Sequence, residues 1–166
     1  MDSDPVGQQA NGPKVAGVIV RPILLFPAAV LLGLALDHIL PLPFVVPRFD
    51  PVPRLFPGVL IVAGLVLFAA GVRTFSRAAT PLPTNQPARV LVTTGIYRWT
   101  RNAIYLSFFL VYGGIGVATR SPWIVTLLLP LVITIRYGVV AREEAYLEQR
   151  FGNGYQNYKA RVRRWL

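Results

Sequence analysis

Four apolar runs dominate this chain and decide most of what it can fold into. They cover residues 15–40, 56–72, 103–119 and 121–141. A helix needs about 20 predominantly apolar residues to cross a bilayer, and a segment alone in lipid satisfies its backbone hydrogen bonds only as a helix. The runs therefore predict an all-α, polytopic membrane protein with about four transmembrane helices.

The last two runs are predicted to form a tight C-terminal helical hairpin. Only Arg120 and a Ser-Pro helix start separate them. The stretch GGIGVAT, residues 113–119, contains a G-x-G pattern, but it lies inside an apolar run with no strand before it. We therefore expect these glycines, together with Gly64 and Gly71, to serve close helix packing and not nucleotide binding.

Composition agrees with a membrane protein and excludes several functions. Charged residues make up 14% of the chain, against about 25% in soluble domains. The net charge of +10 comes from basic residues that flank the apolar runs, so lipid headgroups and topology explain it better than nucleic acid does. The chain has no cysteine and a single histidine, His38, and no metal site is expected.

The positions of the basic residues predict the topology. Five arginines lie within 73–101 and six basic residues follow residue 141, whereas the loop at 41–54 has two. The positive-inside rule then places 73–101, the tail and both termini in the cytoplasm, in what we expect to be a bacterial inner membrane. The two basic segments should meet on one membrane face, and any chemistry is expected there.

The remaining segments give the domain organisation. Residues 1–14 are polar and rich in Gly and Pro, which predicts a disordered tail without a cleaved signal peptide. Residues 15–166 are expected to form a single membrane domain. The connector at 80–95 carries three prolines, which predicts an irregular loop that is either a surface connector or, given its length, a functional segment.

The stretch GIYRWTRNAIYLS, residues 95–107, places polar and aromatic side chains at the start of the third run. Arg101 and Tyr105 are four residues apart and share a helix face. The guanidinium of Arg101 can fork a carboxylate or a phosphate, and Tyr97, Trp99 and Tyr105 can form an aromatic wall for a cationic ligand. The alternative is an interfacial aromatic belt with topogenic arginines.

Acidic residues follow the fourth run directly. Glu143 and Glu144 are costly at a membrane boundary unless they are solvated or paired, and the 98–101 segment could supply basic partners. Arg136 lies one heptad before Glu143, which predicts the same helix face, and it either serves function or snorkels to the interface. Asp37 and His38 are expected to be interface residues; a proton or ion conduit through them and Arg136 is a weaker alternative.

The C-terminal half resembles the integral-membrane methyltransferases of the isoprenylcysteine carboxyl methyltransferase and phospholipid methyltransferase group. The resemblance rests on LVTTGIYRWTRNAIYLS at 91–107, on Ser-Pro-Trp at 121–123 and on EEAYLEQRFGNGYQNYKARVRRWL at 143–166. It implies an S-adenosylmethionine-dependent methyltransferase without a Rossmann domain, with a cytoplasmic cofactor site in residues 82–166. Its expected partners are membrane lipids and a lipidic or small hydrophobic methyl acceptor.

The resemblance also implies which residues form the site. Arg101 or backbone amides would bind the cofactor carboxylate, Glu143 its amino group, and Glu143 or Glu144 would supply any acid or base. The family's cofactor contacts fall on these residues: Arg89, Val90, Leu91, Val92, Tyr97, Asn102, Ala103, Ile104, Tyr105 and Glu143.

Two departures from the family pattern leave the acceptor open. Asn102-Ala103 stands where the family has His-Pro or Asn-Pro, and Val139 stands where the isoprenylcysteine enzymes carry a substrate-binding arginine. Arg136 or Arg142 would have to take that role. An isoprenylcysteine-like acceptor, a phospholipid amine and a small thiol remain alternatives, as does a non-enzymatic membrane scaffold of the same fold.

Overall fold

The structure is a computed structural model that describes residues 16–19, 21–43, 52–81 and 87–165. Residues 1–14, predicted to be a disordered tail, lie outside the described residues. The described part is helical and contains no strand. Its helices are α1 (Pro22–Ile39), α2 (Val52–Arg77), α3 (Ala103–Ala118), α4 (Pro122–Thr134), α5 (Ala141–Phe151) and α6 (Asn153–Arg161), with a 3-10 turn at Gly95–Arg98 and a π-helical segment at Ile135–Val140.

The apolar runs form helices of membrane-spanning character, which confirms the predicted fold class. Among the described residues, three helical stretches are long and apolar enough to cross a membrane: Pro22–Ile39, Leu55–Arg77 and the continuous helix Pro122–Phe151. The fourth predicted span, α3, is a shorter apolar helix of 16 residues. Large apolar side chains such as Leu31, Val62 and Leu129 point outwards, as expected of surfaces that face lipid.

Glycines allow α2 and α3 to pack closely. A Cβ added at Gly64 of α2 would lie 2.7 Å from Val111 Cγ2 and 2.8 Å from the Ser107 carbonyl oxygen of α3. A Cβ at Gly114 of α3 would lie 2.7 Å from Ile61 Cγ1. Close backbone approach is a main source of helix association in lipid, so these glycines serve packing, as predicted.

The turn between α3 and α4 follows directly from its sequence. Ser121 caps α4 by accepting a hydrogen bond from the Ile124 amide at 2.9 Å, and Pro122 occupies the first helical position. Arg120 turns the chain with a φ of 52°. The predicted hairpin is therefore present.

The arginine-rich segments come together at one end of the helix bundle. The Ala88 amide donates to the Tyr146 hydroxyl at 3.1 Å, and the Arg101 amide donates to the Arg163 carbonyl oxygen at 3.1 Å. At the opposite end, the Trp123 indole donates to the Leu40 carbonyl oxygen at 2.8 Å. The structure thus brings the two basic segments together, as predicted; the side of the membrane on which they lie stays a prediction.

The π segment overturns the predicted alignment of Arg136 with Glu143. Arg136 is exposed and Glu143 is buried. Residues seven apart share a face only in a regular α-helix that turns about 100° per residue, whereas hydrogen bonds from i to i+5 insert an extra residue into the turn. The segment Ile135–Val140 therefore rotates Arg136 away from Glu143.

Candidate functional site

A cavity of about 220 Å³ lies at the arginine-rich end of the bundle. Its polar residues come from the 3-10 turn, the start of α3, α5, α6 and Arg21 before α1, and its apolar residues come mostly from α1, α2 and the connector. The lining residues are Arg21, Pro22, Ile23, Phe68, Phe75, Ala88, Val90, Leu91, Val92, Tyr97, Arg101, Asn102, Ile104, Tyr105, Phe108, Glu143, Glu144, Leu147, Tyr155 and Tyr158.

Backbone hydrogen bonds hold the irregular segments of the cavity in place. Gly95 starts the 3-10 turn with a φ of 59°, a conformation that suits glycine. The Tyr97 carbonyl oxygen that follows accepts a hydrogen bond from the Tyr158 hydroxyl at 2.7 Å. In the connector, the Arg89 amide donates to Thr80 Oγ1 at 3.0 Å, which fixes the backbone beside the cavity.

A buried carboxylate and a phenol meet inside the cavity. The Tyr105 hydroxyl donates to Glu143 Oε1 at 2.7 Å, across 38 residues of sequence. Glu143 is only 7% exposed. A buried charge must be hydrogen-bonded or paired, and Tyr105 supplies part of that support while Glu143 lines the cavity.

Two arginines share the second carboxylate. Arg164 binds Glu144 in a bidentate manner. Its Nε donates to Oε1 at 3.1 Å and its Nη2 donates to Oε2 at 2.6 Å. These hydrogen bonds raise the pKa of Arg164, so it stays charged. Arg101 Nη1 lies 3.3 Å from the same Oε1.

Arg101 is the under-bonded member of this cluster. Its side chain is 9% exposed, and its Nε and Nη1 have no hydrogen-bond partner within the described part of the chain. Unsatisfied buried donors are costly, more so on a charged group. Arg101 therefore offers donors to an anionic group in the cavity that it lines.

Tyr97 and Tyr158 in the cavity lining stay neutral at physiological pH. Burial raises the pKa of Tyr97 above its usual value, and nearby Tyr158 and Glu143 add to the effect. Burial also raises the pKa of Tyr158 to about 12, against the opposing charge of Arg101. Neutral aromatic rings attract cations through their faces, so this lining suits a ligand with a positive centre.

Most of the predicted site residues line the cavity. Of the ten predicted cofactor contacts, eight do so, and the two exceptions are Arg89 and Ala103. Arg89 is exposed, and Ala103 is fully buried against Val92 and Tyr97. Arg101 and Glu144 also line the cavity. Ligand binding by all these residues stays a prediction.

Other predicted residues lie away from the cavity. Arg136 is exposed, with its guanidinium over the ring of Tyr137. Arg142 Nη1 donates to the Gly17 carbonyl oxygen at 2.9 Å. Trp99 is 75% exposed and takes no part in the expected aromatic wall, because the 3-10 turn directs it outwards while Tyr97 points inwards.

Sequence reasoning missed several residues that shape the site. These are Arg21, Pro22, Ile23, Phe68, Phe75, Ala88, Phe108, Leu147, Tyr155 and Tyr158 in the lining, and Arg164 beside it. The three-residue spacing of Tyr155 and Tyr158 indicates one helix face and could have drawn attention to them. The pairing of Arg164 with Glu144 crosses two helices and has no local signal.

The described residues contain no group of three His, Cys, Asp or Glu side chains arranged to hold a metal ion.

A search of solved structures gave no significant match. An uncharacterized protein of Haemophilus influenzae (strain ATCC 51907 / DSM 11121 / KW20 / Rd) is 51% identical over 35 residues, which are 21% of this chain and 56% of that relative. The chain thus spans little more than half the length of that relative. The phospholipid methyltransferase family model matches residues 53–154, from α2 into α6. Because that match covers more than half of the chain, the protein belongs to the phospholipid methyltransferase family.

Proposed function

We propose that the protein is a membrane methyltransferase that uses S-adenosylmethionine and methylates a lipidic or small hydrophobic acceptor. One observation carries the proposal: a single cavity contains a buried guanidinium with unused donors and a buried carboxylate. These two groups complement the carboxylate and the ammonium of an amino acid. The family match supports the same class of protein.

The residues of the cavity fit the other parts of the cofactor as well. Arg101 would bind its carboxylate through Nε and Nη1, and Glu143 would accept from its ammonium. Tyr97, Tyr105, Tyr155 and Tyr158 surround the same space and would face its sulfonium. When bound, the cofactor supplies a methyl group activated by that sulfonium.

The protein contributes orientation and exclusion of water. Methyl transfer is a direct displacement, so the acceptor must be held in line with the methyl group at short range. Phe68, Phe75 and Phe108 form an apolar wall beside the polar residues. Such a wall keeps water from the reacting atoms and accommodates an apolar acceptor.

The acceptor is proposed to arrive sideways from the bilayer. Pro22 and Ile23 at the start of α1 line the cavity, and Ile23 is also 69% exposed on the apolar surface of the bundle. The same side chain thus borders both the cavity and the surface that faces lipid. A lipidic chain would reach the cavity there without crossing water.

The partners of the two carboxylates favour an acceptor that arrives as an anion. Both carboxylate oxygens of Glu144 are engaged by Arg164, and Arg101 lies beside one of them. Glu143 accepts from Tyr105 and would be engaged by the cofactor ammonium. A carboxylate or thiolate acceptor needs no base, as in an isoprenylcysteine-like substrate or a small thiol; a phospholipid amine would need one.

Methyl transfer from radiolabelled S-adenosylmethionine tests the proposal. The full-length protein in lipid vesicles is offered prenylcysteine analogues, small thiols and phosphatidylethanolamine, with protein-free vesicles as background. We expect label on the carboxylate, released as methanol by mild alkali, or on the thiol. Alkali-stable label on the phospholipid amine would replace the anionic acceptor by an amine, and no label above background with any acceptor would refute the methyltransferase.

The alternative of a non-enzymatic scaffold rests on the two departures from the family pattern. Both lie outside the cavity lining: Ala103 and Val139 are fully buried in apolar clusters. Neither of these two side chains therefore contributes to the cavity lining. Binding of the cofactor without methyl transfer in the same assay would favour the scaffold.

The ion conduit gains no support from the positions of its residues. Asp37 and His38 lie in the last turn of α1, near Trp123, whereas Arg136 lies in the π segment beside the start of α1. Helix α1 has 18 residues, so its two ends, beside which these groups lie, are about 27 Å apart along the helix axis.

A further inference from the structure

The segment after α6 does not line the cavity, but it is hydrogen-bonded to two residues that do, Arg101 and Asn102. We name residues 163–165 the clasp. The Asn102 Nδ2 amide donates to the Arg164 carbonyl oxygen at 2.9 Å, and the Arg101 amide donates to that of Arg163 at 3.1 Å. The ring of Trp165 lies 5.7 Å from that of Phe109. The clasp is therefore fixed to the start of α3.

From this position, Arg164 controls how Glu144 is oriented. Its fork takes both carboxylate oxygens, at 3.1 and 2.6 Å. A bidentate pair of hydrogen bonds from one arginine fixes the plane of a carboxylate. Arg101 reaches only Oε1, at 3.3 Å, and makes no hydrogen bond there with Nη1.

The net charge of the cluster formed by Arg101, Arg164 and Glu144 also indicates that Arg101 can bind an anionic group. Two guanidinium groups, Arg101 and Arg164, face one carboxylate, Glu144, which leaves one positive charge uncompensated within the cluster. That excess lies on a side chain that lines the cavity with its donors unused. Without Arg164, Glu144 would be free to turn towards Arg101, neutralise it and satisfy its donors.

We infer that Arg164 is a positioning residue that keeps Arg101 available for an anionic group of the ligand, by engaging both oxygens of Glu144 so that the carboxylate does not turn fully onto Arg101. Within the proposed function, on which this role rests, that anionic group is the carboxylate of the cofactor's amino-acid part. Arg164 itself does not line the cavity. It acts only through Glu144 and Arg101.

The test compares two ligands that differ in the amino-acid part. S-adenosylhomocysteine carries the carboxylate, whereas 5′-methylthioadenosine lacks it. Calorimetric titration of the detergent-purified full chain should show that Arg164→Ala weakens S-adenosylhomocysteine binding by about tenfold or more, while methylthioadenosine binding changes by less than about twofold. A purely structural role would weaken both ligands equally, and that result would overturn the inference.

Removing the competing carboxylate should restore binding. In the double variant Arg164→Ala with Glu144→Gln, residue 144 can no longer neutralise Arg101, so S-adenosylhomocysteine affinity should recover to within about threefold of wild type. The double variant also lacks the ion pair, so it shares any loss of stability with Arg164→Ala. Failure to recover would contradict the role of Glu144 as the competitor.

Two further variants complete the design. Arg164→Lys keeps the charge but not the fork, and is expected to lie between wild type and Arg164→Ala. Arg161→Ala removes the same charge from a side chain that, within the described residues, bonds to the Asn157 carbonyl oxygen of its own helix, and should leave both affinities unchanged. If Arg164→Ala does not fold, the lysine variant must show the same selective loss, or the inference fails.

The two proposals fail in different ways. Wild-type protein that binds neither ligand would refute the proposed function and this role together. Wild-type protein that binds both ligands, with an affinity ratio that the Arg164 variants do not change, would refute the role of Arg164 alone.

Discussion

Replacing Glu143 by glutamine isolates the charge proposed to hold the cofactor's ammonium. Glutamine keeps the size of the side chain and a carbonyl oxygen that can accept from the Tyr105 hydroxyl, now 2.7 Å from Oε1. The fold should therefore tolerate Glu143→Gln. What the substitution removes is a negative charge that is 7% exposed and lines the cavity.

The expected loss of affinity follows from that burial. At about 4 Å and an effective dielectric constant of about 20, two unit charges attract by about 4 kcal/mol. A hydrogen bond to a charged group is more stabilising than one to a neutral group by only about 1–1.5 kcal/mol. This difference sets the lower limit of the expected loss in binding free energy. We expect S-adenosylhomocysteine to bind between about tenfold and a thousandfold more weakly, since each 1.4 kcal/mol corresponds to about tenfold.

Calorimetry on detergent-purified variants measures this loss. Methylthioadenosine, which lacks the ammonium, should bind Glu143→Gln and wild type alike. The matched control is Glu148→Gln on the same helix, whose carboxylate pairs with Lys159 at 2.5 Å on the surface, with side chains 35% and 41% exposed. Such pairs contribute about 0–1 kcal/mol, so its ligand affinity should not change. Unchanged affinity in Glu143→Gln, or an equal loss in both variants, would refute the assignment.

Three further predictions concern stability. Tyr105→Phe removes the hydroxyl donor to buried Glu143 and should lower the free energy of unfolding by about 1.5–3 kcal/mol; a loss below about 0.5 kcal/mol in reversible unfolding in detergent would contradict this. Gly64→Leu places a side chain where a Cβ already meets α3 at 2.7 Å and should destabilise by about 1–3 kcal/mol, whereas Gly58→Leu, with open space around it, should not; equal effects would contradict the packing. Burial raises the pKa of Tyr158 from 10.0 to about 12. Between these pH values the unfolded chain releases a proton that the folded chain keeps, so the free energy of unfolding falls as pH rises. Tyr158→Phe should make that fall shallower, and an unchanged dependence of the unfolding free energy on pH would contradict this.

The sequence predicted the membrane helices well because their signal is local. Length and apolar content determine whether a segment can cross a bilayer, and the Ser121-Pro122 pair marks the start of α4 through an ordinary cap. Glu143 and Tyr105 were both predicted as site residues, and the structure joins them by a hydrogen bond. Their proximity agrees with the prediction that the two basic segments meet at one end of the bundle.

The orientation of Arg136 was predicted wrongly because helix periodicity assumes a regular helix. The π segment at Ile135–Val140 is a local departure from that regularity. Composition alone gives no sign of it. Every face assignment that crosses these six residues is shifted with it.

The contribution of the clasp was also beyond sequence reasoning. Arg164 reaches Glu144 across α5 and α6, after the chain reverses at Gly152 with a φ of 50°. The direction of α6 after that turn depends on tertiary contacts such as the Tyr158 hydroxyl bond to the Tyr97 carbonyl oxygen. The arginines of the tail therefore looked alike in the sequence, although only Arg164 pairs with a carboxylate among those described after residue 160.

Titration of the wild-type protein with S-adenosylmethionine itself tests the central claim most directly. The cavity residues predict one saturable site, competed by S-adenosylhomocysteine, with a dissociation constant below about 1 mM, equivalent to about 4.1 kcal/mol. Absence of saturable binding at that concentration, in protein that remains folded in detergent or lipid, would contradict the assignment of this cavity to the cofactor.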